Sequence, residues 1–237
     1  MFDETNIAEE KAWLREKQAT KAIEGFRKRR INAQYVKDKG EALSTILQMI
    51  PPGGGVTVGV ADSVTLHQIG VISKLKSLNQ NEVFDPFERD DQGFYTRDID
   101  TVFKVMRRAL TADYFLTGAN AITLDGKIIS TDGTGNRVAA MIFGPKKVII
   151  VVGVNKIVKD AEEGIRRIRE VAAPMNAVRH LIKHHNKFGE LPCVRTGFCV
   201  DCNHPRRNCH YTVIVEGAIE REKDRNHIII VGEELGF

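Results

Sequence analysis

The sequence contains no apolar run long enough to cross a bilayer. Its most apolar stretch, residues 148–152 with their flanks, falls far short of the roughly 20 residues that a membrane helix needs. Charge of one sign is scarce too: 35 Lys and Arg against 31 Asp and Glu leave a net charge of +4. Nucleic-acid binding asks for a concentrated basic face, so no nucleic-acid partner is expected. No fixed-period repeat runs through the chain, which excludes rods, collagen and solenoids. Neither a G-x-G-x-x-G nor a Walker loop is present. The first residues, Met1-Phe2-Asp3-Glu4, are acidic and polar and do not read as a secretory signal. A reducing cytoplasm is therefore the expected location. Cysteine is rare, and all four copies fall between Cys193 and Cys209. Such a cluster is no disulfide framework for a whole fold and reads first as a metal site.

What is there suits a globular chain. With 42% hydrophobic and 28% charged residues, the composition is ordinary and supplies a core without disulfide support. The length of 237 residues allows one or two domains at about 150 residues each. With no linker visible, a single α/β domain over residues 1–237 is expected, carrying a Cys-rich appendage at 193–209.

Periodicity fills in the elements. Ile7, Leu14, Ile23 and Phe26 share a face and predict a helix over about 5–28, closed by Lys28, Arg29 and Arg30. A strand is expected at 31–36 and a helix at 41–50, stopped by Pro51-Pro52 and three glycines. Residues 56–60 read as a buried strand. Asp62 or Ser63 then caps a helix with the stripe Leu66, Ile69, Ile72 and Leu75. A short strand at 83–84, a helix at 98–110 and a strand at 113–117 follow. Asp125-Gly126 between alternating apolar residues predicts a hairpin over 122–129 with a type I′ turn, positive φ at both positions. Next come a helix at 136–143, a strand at 147–153, helices at 161–171 and 174–185 parted at Pro174, and strands at 211–215 and 227–231. This alternation predicts an α/β fold: a mostly parallel sheet flanked by helices, made mixed by the inserted β-hairpin.

Two polar loops follow strands. The first contains Gly59, Asp62, Ser63 and Thr65, small residues that let a ligand approach the backbone at a helix start. The second starts at Gly118 and Asn120 and resumes after the hairpin as Asp132, Gly133, Thr134, Gly135, Asn136 and Arg137. Backbone N–H groups at such a turn can form an anion nest, and a guanidinium can hold a carboxylate or phosphate by two bonds. Ordinary turn and cap chemistry explains the same residue types. If the strands are parallel neighbours, both loops converge at the carboxyl edge of the sheet, where α/β proteins bind ligands. A small anionic ligand is the expected occupant.

Cys199 and Cys202 form a C-x₂-C pair, and Cys193 and Cys209 complete a set of four. Two fillings compete: a closed tetrahedral zinc site and a [4Fe–4S] cluster, whose negative charge Arg195, Arg206 and Arg207 could offset. A thiol-rich loop or a redox disulfide between Cys199 and Cys202 is the plainer alternative, and His204 or His210 could replace one thiolate. His180 and His184, four apart without a third ligand, read as a solvated helix face. His67 reads as a boundary residue, and Arg166, Arg167 and Arg169 as a salt-bridged surface.

The run from Thr117 through Asp125-Gly126 to Asp132-Gly-Thr-Gly-Asn-Arg137, followed by Gly144-Pro-Lys-Lys and Gly153-Val-Asn-Lys156, resembles the LUD-domain family, which includes the lactate-utilisation proteins. The loop from Gly59 to Thr65 is similar to the family's first glycine/serine loop, although the family often has Gly where Ala61 and Asp62 stand. The resemblance spans most of the chain. It implies the fold shared by ribose-5-phosphate isomerase and the CoA transferases, with a ligand site at the two glycine loops. Some members belong to an iron–sulfur complex that oxidises lactate to pyruvate. The larger partner there carries ferredoxin-like motifs, which this chain lacks. The four-cysteine tail looks like that of a short subgroup found in anaerobic bacteria.

Two functions follow. One is an accessory or electron-transfer component of lactate or related hydroxy-acid utilisation. Its four cysteines would carry electrons or dock a redox partner protein. The other is a free-standing enzyme of the isomerase or CoA-transferase type with structural zinc, acting on a phosphorylated or CoA-linked substrate through Asp125 or Asp132. The resemblance implies Glu for CoA transfer, and no Glu lies near either glycine loop, which favours the first.

Overall fold

A computed structural model describes residues 4–184 and 190–237. Its centre is a six-stranded sheet in the order β1 (Asn32–Val36), β10 (Asn226–Val231), β7 (Lys147–Gly153), β4 (Tyr114–Gly118), β2 (Thr57–Val60) and β3 (Glu82–Phe84). Every pairing in it is parallel. Such a sheet is covered on both faces, so its middle strands read as unbroken Val/Ile runs. β7 and β10 do so, and successive residues serve opposite faces. Ile150, Val152, Ile228 and Ile230 join one core cluster, while Ile149, Val151, Ile229 and Val231 join the other.

The first cluster is completed by α1 (Ala8–Lys28), through Ala19, Ala22 and Phe26, and by α6 (Asn136–Ile142), through Ala140 and Met141. Ala109 of α5 (Ile99–Ala109) joins it. The second is covered by α2 (Lys39–Met49), α3 (Val64–Ile69) and α4 (Val71–Leu78). The last two replace the one helix expected there. Gly70, at φ +76, takes the left-handed conformation that ends one helix and begins the next.

The hairpin strands β5 (Ala121–Thr123) and β6 (Ile128–Asp132) lie outside the main sheet. They form a second, four-stranded sheet in the order β8 (Ile157–Val158), β5, β6, β9 (Tyr211–Val215). In it β6 pairs antiparallel with both β5 and β9, while β5 pairs parallel with β8. The turn is not type I′. Gly126 has φ +86 but Asp125 does not share the positive φ, and Gly126 N donates to Thr123 O while Thr123 N donates to Lys127 O. That is the three-residue loop with a left-handed glycine. Helix α1 crosses this turn with no room for a side chain: a Cβ on Gly25 would fall 2.4 Å from the Asp125 carbonyl carbon. The Arg29 guanidinium donates to the Asp125 backbone and carboxylate, both at 2.6 Å. The exposed Asp125 carboxylate is thereby paired with Arg29.

The helices expected at 161–171 and 174–185 are not parted at Pro174. Helix α7 (Ala161–Arg167) passes through a π-turn, Ile168–Ala172, into α8 (Ala173–Lys183). Ala173 N donates five residues back to Ile168 O. The wide turn just before Pro174 absorbs the bond that proline cannot make. The expected end at His185 lies outside the described residues. After α9 (Pro192–Thr196) the chain carries its remaining cysteines without regular structure up to β9. Among the described residues no helix is long and apolar enough to cross a membrane.

Candidate anion cavity and cysteine site

Strands β2, β4 and β7 are parallel neighbours, so their carboxyl ends share one edge. Chain order reverses between two of them: β2 leads outward to β3, whereas β4 leads back toward β7. Such a switch point opens a crevice. A cavity of about 450 Å³ lies there, within the usual range for ligand pockets. From the first loop it is lined by Asp62 and Ser63, and from the end of β4 by Gly118 and Asn120. Beyond the hairpin, Asp132, Gly133, Thr134, Asn136 and Arg137 line it as well.

Gly59, Thr65 and Gly135 do not line it. Gly59 is packed within β2, where a Cβ would lie 2.9 Å from Ala109 and Phe115. Thr65 is fully buried beneath the loop. Gly135, at φ +93, opens α6 beside the Tyr211 ring.

The loop residues divide the work. Ser63 caps α3, its hydroxyl accepting from Leu66 N at 3.5 Å, which leaves Asp62 free of that task. Asp62 Oδ1 accepts from Arg179 at 2.7 Å, with His67 Nε2 3.6 Å away. Burial alone would raise the Asp62 carboxyl, but His67 and the Arg179 charge hold it well below the usual carboxylate range. Asp132 is a cap: its carboxylate accepts from Arg137 N at 2.9 Å, and from Thr134 N and Val138 N at 3.3 Å. Arg137 is partly buried and donates to Gly118 O and Asn120 Oδ1, both at 3.2 Å, and to Thr131 O. It ties the ends of β4 and β6 together, so its fork is already engaged with the protein's own acceptors.

The cavity also holds a buried amine outside both glycine loops. Lys156, at the carboxyl end of β7, is only 4% exposed and lines the cavity. Its single hydrogen bond among the described residues goes to Thr65 Oγ1 at 3.1 Å. Burial, then the charges of Arg167 and Arg137, push its ammonium down to about 7. The available signal was its position just beyond the most apolar strand, at the ligand-binding edge. Arg167, expected on a salt-bridged surface, instead donates to Asn155 O at 3.2 Å and Asn120 O at 2.7 Å. It braces the same loops from behind.

His180 and His184 are also not on a solvated face. Both are partly buried, their Nδ1 atoms lie 3.0 Å apart, and with Asp62 they bring three ligand atoms within 4.8 Å of one another. Burial, aided by Arg179 and Arg89, lowers His180 to about 4 and His184 to about 3, against a smaller raising effect of Asp62. Both rings are therefore neutral at pH 7. Helical periodicity alone could not find this, because the π-turn upstream rotates the face that α8 turns inward.

The four cysteines are free thiols and line a second cavity of about 360 Å³. Burial raises the Cys193 and Cys209 thiols, and the neighbouring cysteines push the same way. Asp201 N donates to Cys199 Sγ at 3.4 Å. Arg207 donates to Cys202 O at 2.5 Å, while its buried Nε has no partner among the described residues. The segment is no detached appendage, because Arg206, Arg207, Asn208 and His210 form a wall of the larger cavity. Its backbone passes so close to the second glycine loop that a Cβ on Gly133 would lie 3.2 Å from Asn208 Cα.

The architecture is thus that of an α/β protein with a cation-lined cavity at the switch edge of a parallel sheet. The LUD-domain family model matches residues 19–231, and the chain belongs to that family, which is linked to lactate utilisation. Two solved structures are similar in part. A DUF162 family protein from Deinococcus radiodurans is 16% identical, with a TM-score of 0.48 over 92% of this chain and 97% of that one. The eIF2B delta protein of Chaetomium thermophilum is 19% identical, with a TM-score of 0.29 over 48% of this chain and 46% of that one. Curated proteins provide no match.

Proposed function

We propose that the protein is an accessory or electron-transfer component of lactate or related hydroxy-acid utilisation. It holds a small carboxylate or phosphate in the larger cavity and an iron–sulfur cluster at Cys193, Cys199, Cys202 and Cys209, beside a redox partner protein. The observation that carries the anion reading is Lys156, a buried amine with one neutral hydrogen-bond partner. Asp132 is engaged as a cap and Asp62 is paired with Arg179, so neither neutralises it. An anion supplies the missing partner through a charge-assisted bond.

The donor set favours a cluster over zinc. A closed tetrahedral zinc needs its sulfurs about 3.8 Å apart, whereas these four thiols are spread around the lining of a cavity of about 360 Å³. Four thiolates around a wider cavity suit a multi-iron centre, and the unpartnered Arg207 Nε provides a donor toward its negative charge. Such a cluster would supply one-electron transfer. The test combines iron and zinc analysis and the visible spectrum of anaerobically purified protein with calorimetric titration of lactate, pyruvate, sugar phosphates and CoA. Iron, a broad visible absorbance and binding of a hydroxy or oxo acid are expected. Zinc without iron, with binding of CoA or a sugar phosphate alone, would replace this reading with that of a free-standing enzyme.

A further inference from the structure

We infer that Asp62, His180 and His184 form a second metal site, for a divalent transition metal, at the margin of the larger cavity, which Asp62 and His180 line. This goes beyond the proposed function and requires neither a bound anion nor a loaded cysteine site. The three residues come from distant parts of the chain. Asp62 follows β2, and the histidines lie one turn apart at the end of α8, where a spacing of four places both on one face. One ligand atom from each falls within a 4.8 Å sphere of mutual distances.

The finer geometry fits a shared ion. The two Nδ1 atoms are 3.0 Å apart, and two nitrogens bound at right angles to one metal at about 2.1 Å stand about 3.0 Å apart. Asp62 is oriented for the same purpose. Arg179 and His67 both address Oδ1, and among the described residues no hydrogen bond reaches Oδ2. Holding one carboxylate oxygen so that the other faces the metal is the usual task of the residues behind a ligand. Two imidazoles and one carboxylate with an open side suit Fe(II) or Zn(II). The cost is charge, because Arg179 already balances Asp62. Sites built from neutral imidazoles nevertheless hold dications, and the open coordination positions face a cavity that takes an anion.

Co(II) is the probe, added to the anaerobically purified full chain. Bound Co(II) should show ligand-field bands without a thiolate-to-cobalt charge-transfer band. Asp62→Asn, His180→Ala and His184→Ala should each weaken binding at least about tenfold, with circular dichroism checking the fold. His184→Gln serves as a milder variant should the alanine variant unfold. If the paired rings are merely hydrogen-bonded to each other, wild type and variants will bind Co(II) alike or not at all. If all bound Co(II) shows the thiolate band, the ion is at the cysteines. Each of these results overturns the inference.

Discussion

Replacing Lys156 by Met removes a charge while keeping most of the side-chain volume, and the consequences for stability and for binding have opposite signs. The ammonium falls from 10.5 to about 7 on folding. Between those values the unfolded chain binds more protons than the folded one, so wild-type stability rises with pH over that window. Below pH 7 the full penalty for the buried charge is present, and above 10.5 it is gone. At about 1.4 kcal/mol per pH unit, the penalty at low pH approaches roughly 5 kcal/mol. Lys156→Met should therefore be several kcal/mol more stable than wild type at pH 6, with the gap narrowing toward pH 10. The same variant should lose the anion, because Lys156 Nζ has a single neutral hydrogen-bond partner among the described residues and keeps donors for a ligand. Gain of stability with loss of binding is the signature of a residue kept for function. Urea unfolding at pH 6 and pH 9, with calorimetric titration of lactate and pyruvate, measures both. A Met variant that is less stable at both pH values, or that binds anions as wild type does, would refute the reasoning.

Three further outcomes are expected. Gly25→Ala should destabilise the protein by about 1–3 kcal/mol, the usual cost of overpacking, because α1 would be forced off the hairpin turn; thermal unfolding measures it. Asp113 is held down to about 2 by Lys146, then by Thr57 N and Oγ1 at 2.8 Å. Its contribution is present above the unfolded value of 3.8 and lost as pH falls through about 2. Asp113→Asn should cost about 1–2 kcal/mol at pH 7 and flatten the acid limb of the stability curve. Cys202→Ser should abolish the iron-dependent absorbance and weaken anion binding in the neighbouring cavity, measured by spectrum and calorimetry; a variant that lost iron but bound the anion unchanged would show the two cavities to be independent.

The parallel core was readable because both faces of each central strand are apolar. The strands at 147–153 and 211–215 have the bounds their periodicity implies. Turn and helix details were harder. Asp125-Gly126 admits more than one loop, and the choice was set by α1 pressing on the turn, a contact between residues a hundred apart in sequence. Pro174 signals a break when read alone, yet the π-turn before it lets the helix continue. The candidate site divides along the same line. The glycine loops carry a local pattern of small and polar residues. Lys156 and the pair His180 and His184 carry none; their environment comes from burial by segments distant in sequence. The helix face that holds the histidines is turned by one extra residue in a π-turn, to which a fixed 3.6-residue period is blind.

The two cavities share a wall, and this constrains how the chain can work. Arg207 and Asn208 line both. Arg207 grips the cysteine loop through Cys202 O, and the same short segment lies on Gly133, whose neighbours cap α6. His210 N donates to Asp132 O at 2.9 Å, so the strand leaving the cysteines is bonded to the anion loop itself. No flexible linker separates the sites. Any change that moves Cys202 or Cys209 must move Arg207, the cap at Asp132, or both. Packed segments of this kind shift between discrete arrangements more readily than they stretch, so the cysteine segment and the second glycine loop are mechanically joined. On the function proposed above, titrating the hydroxy acid into protein with and without iron tests this joint: affinity that changes with iron loading is expected, and equal affinity would show the two cavities to be independent.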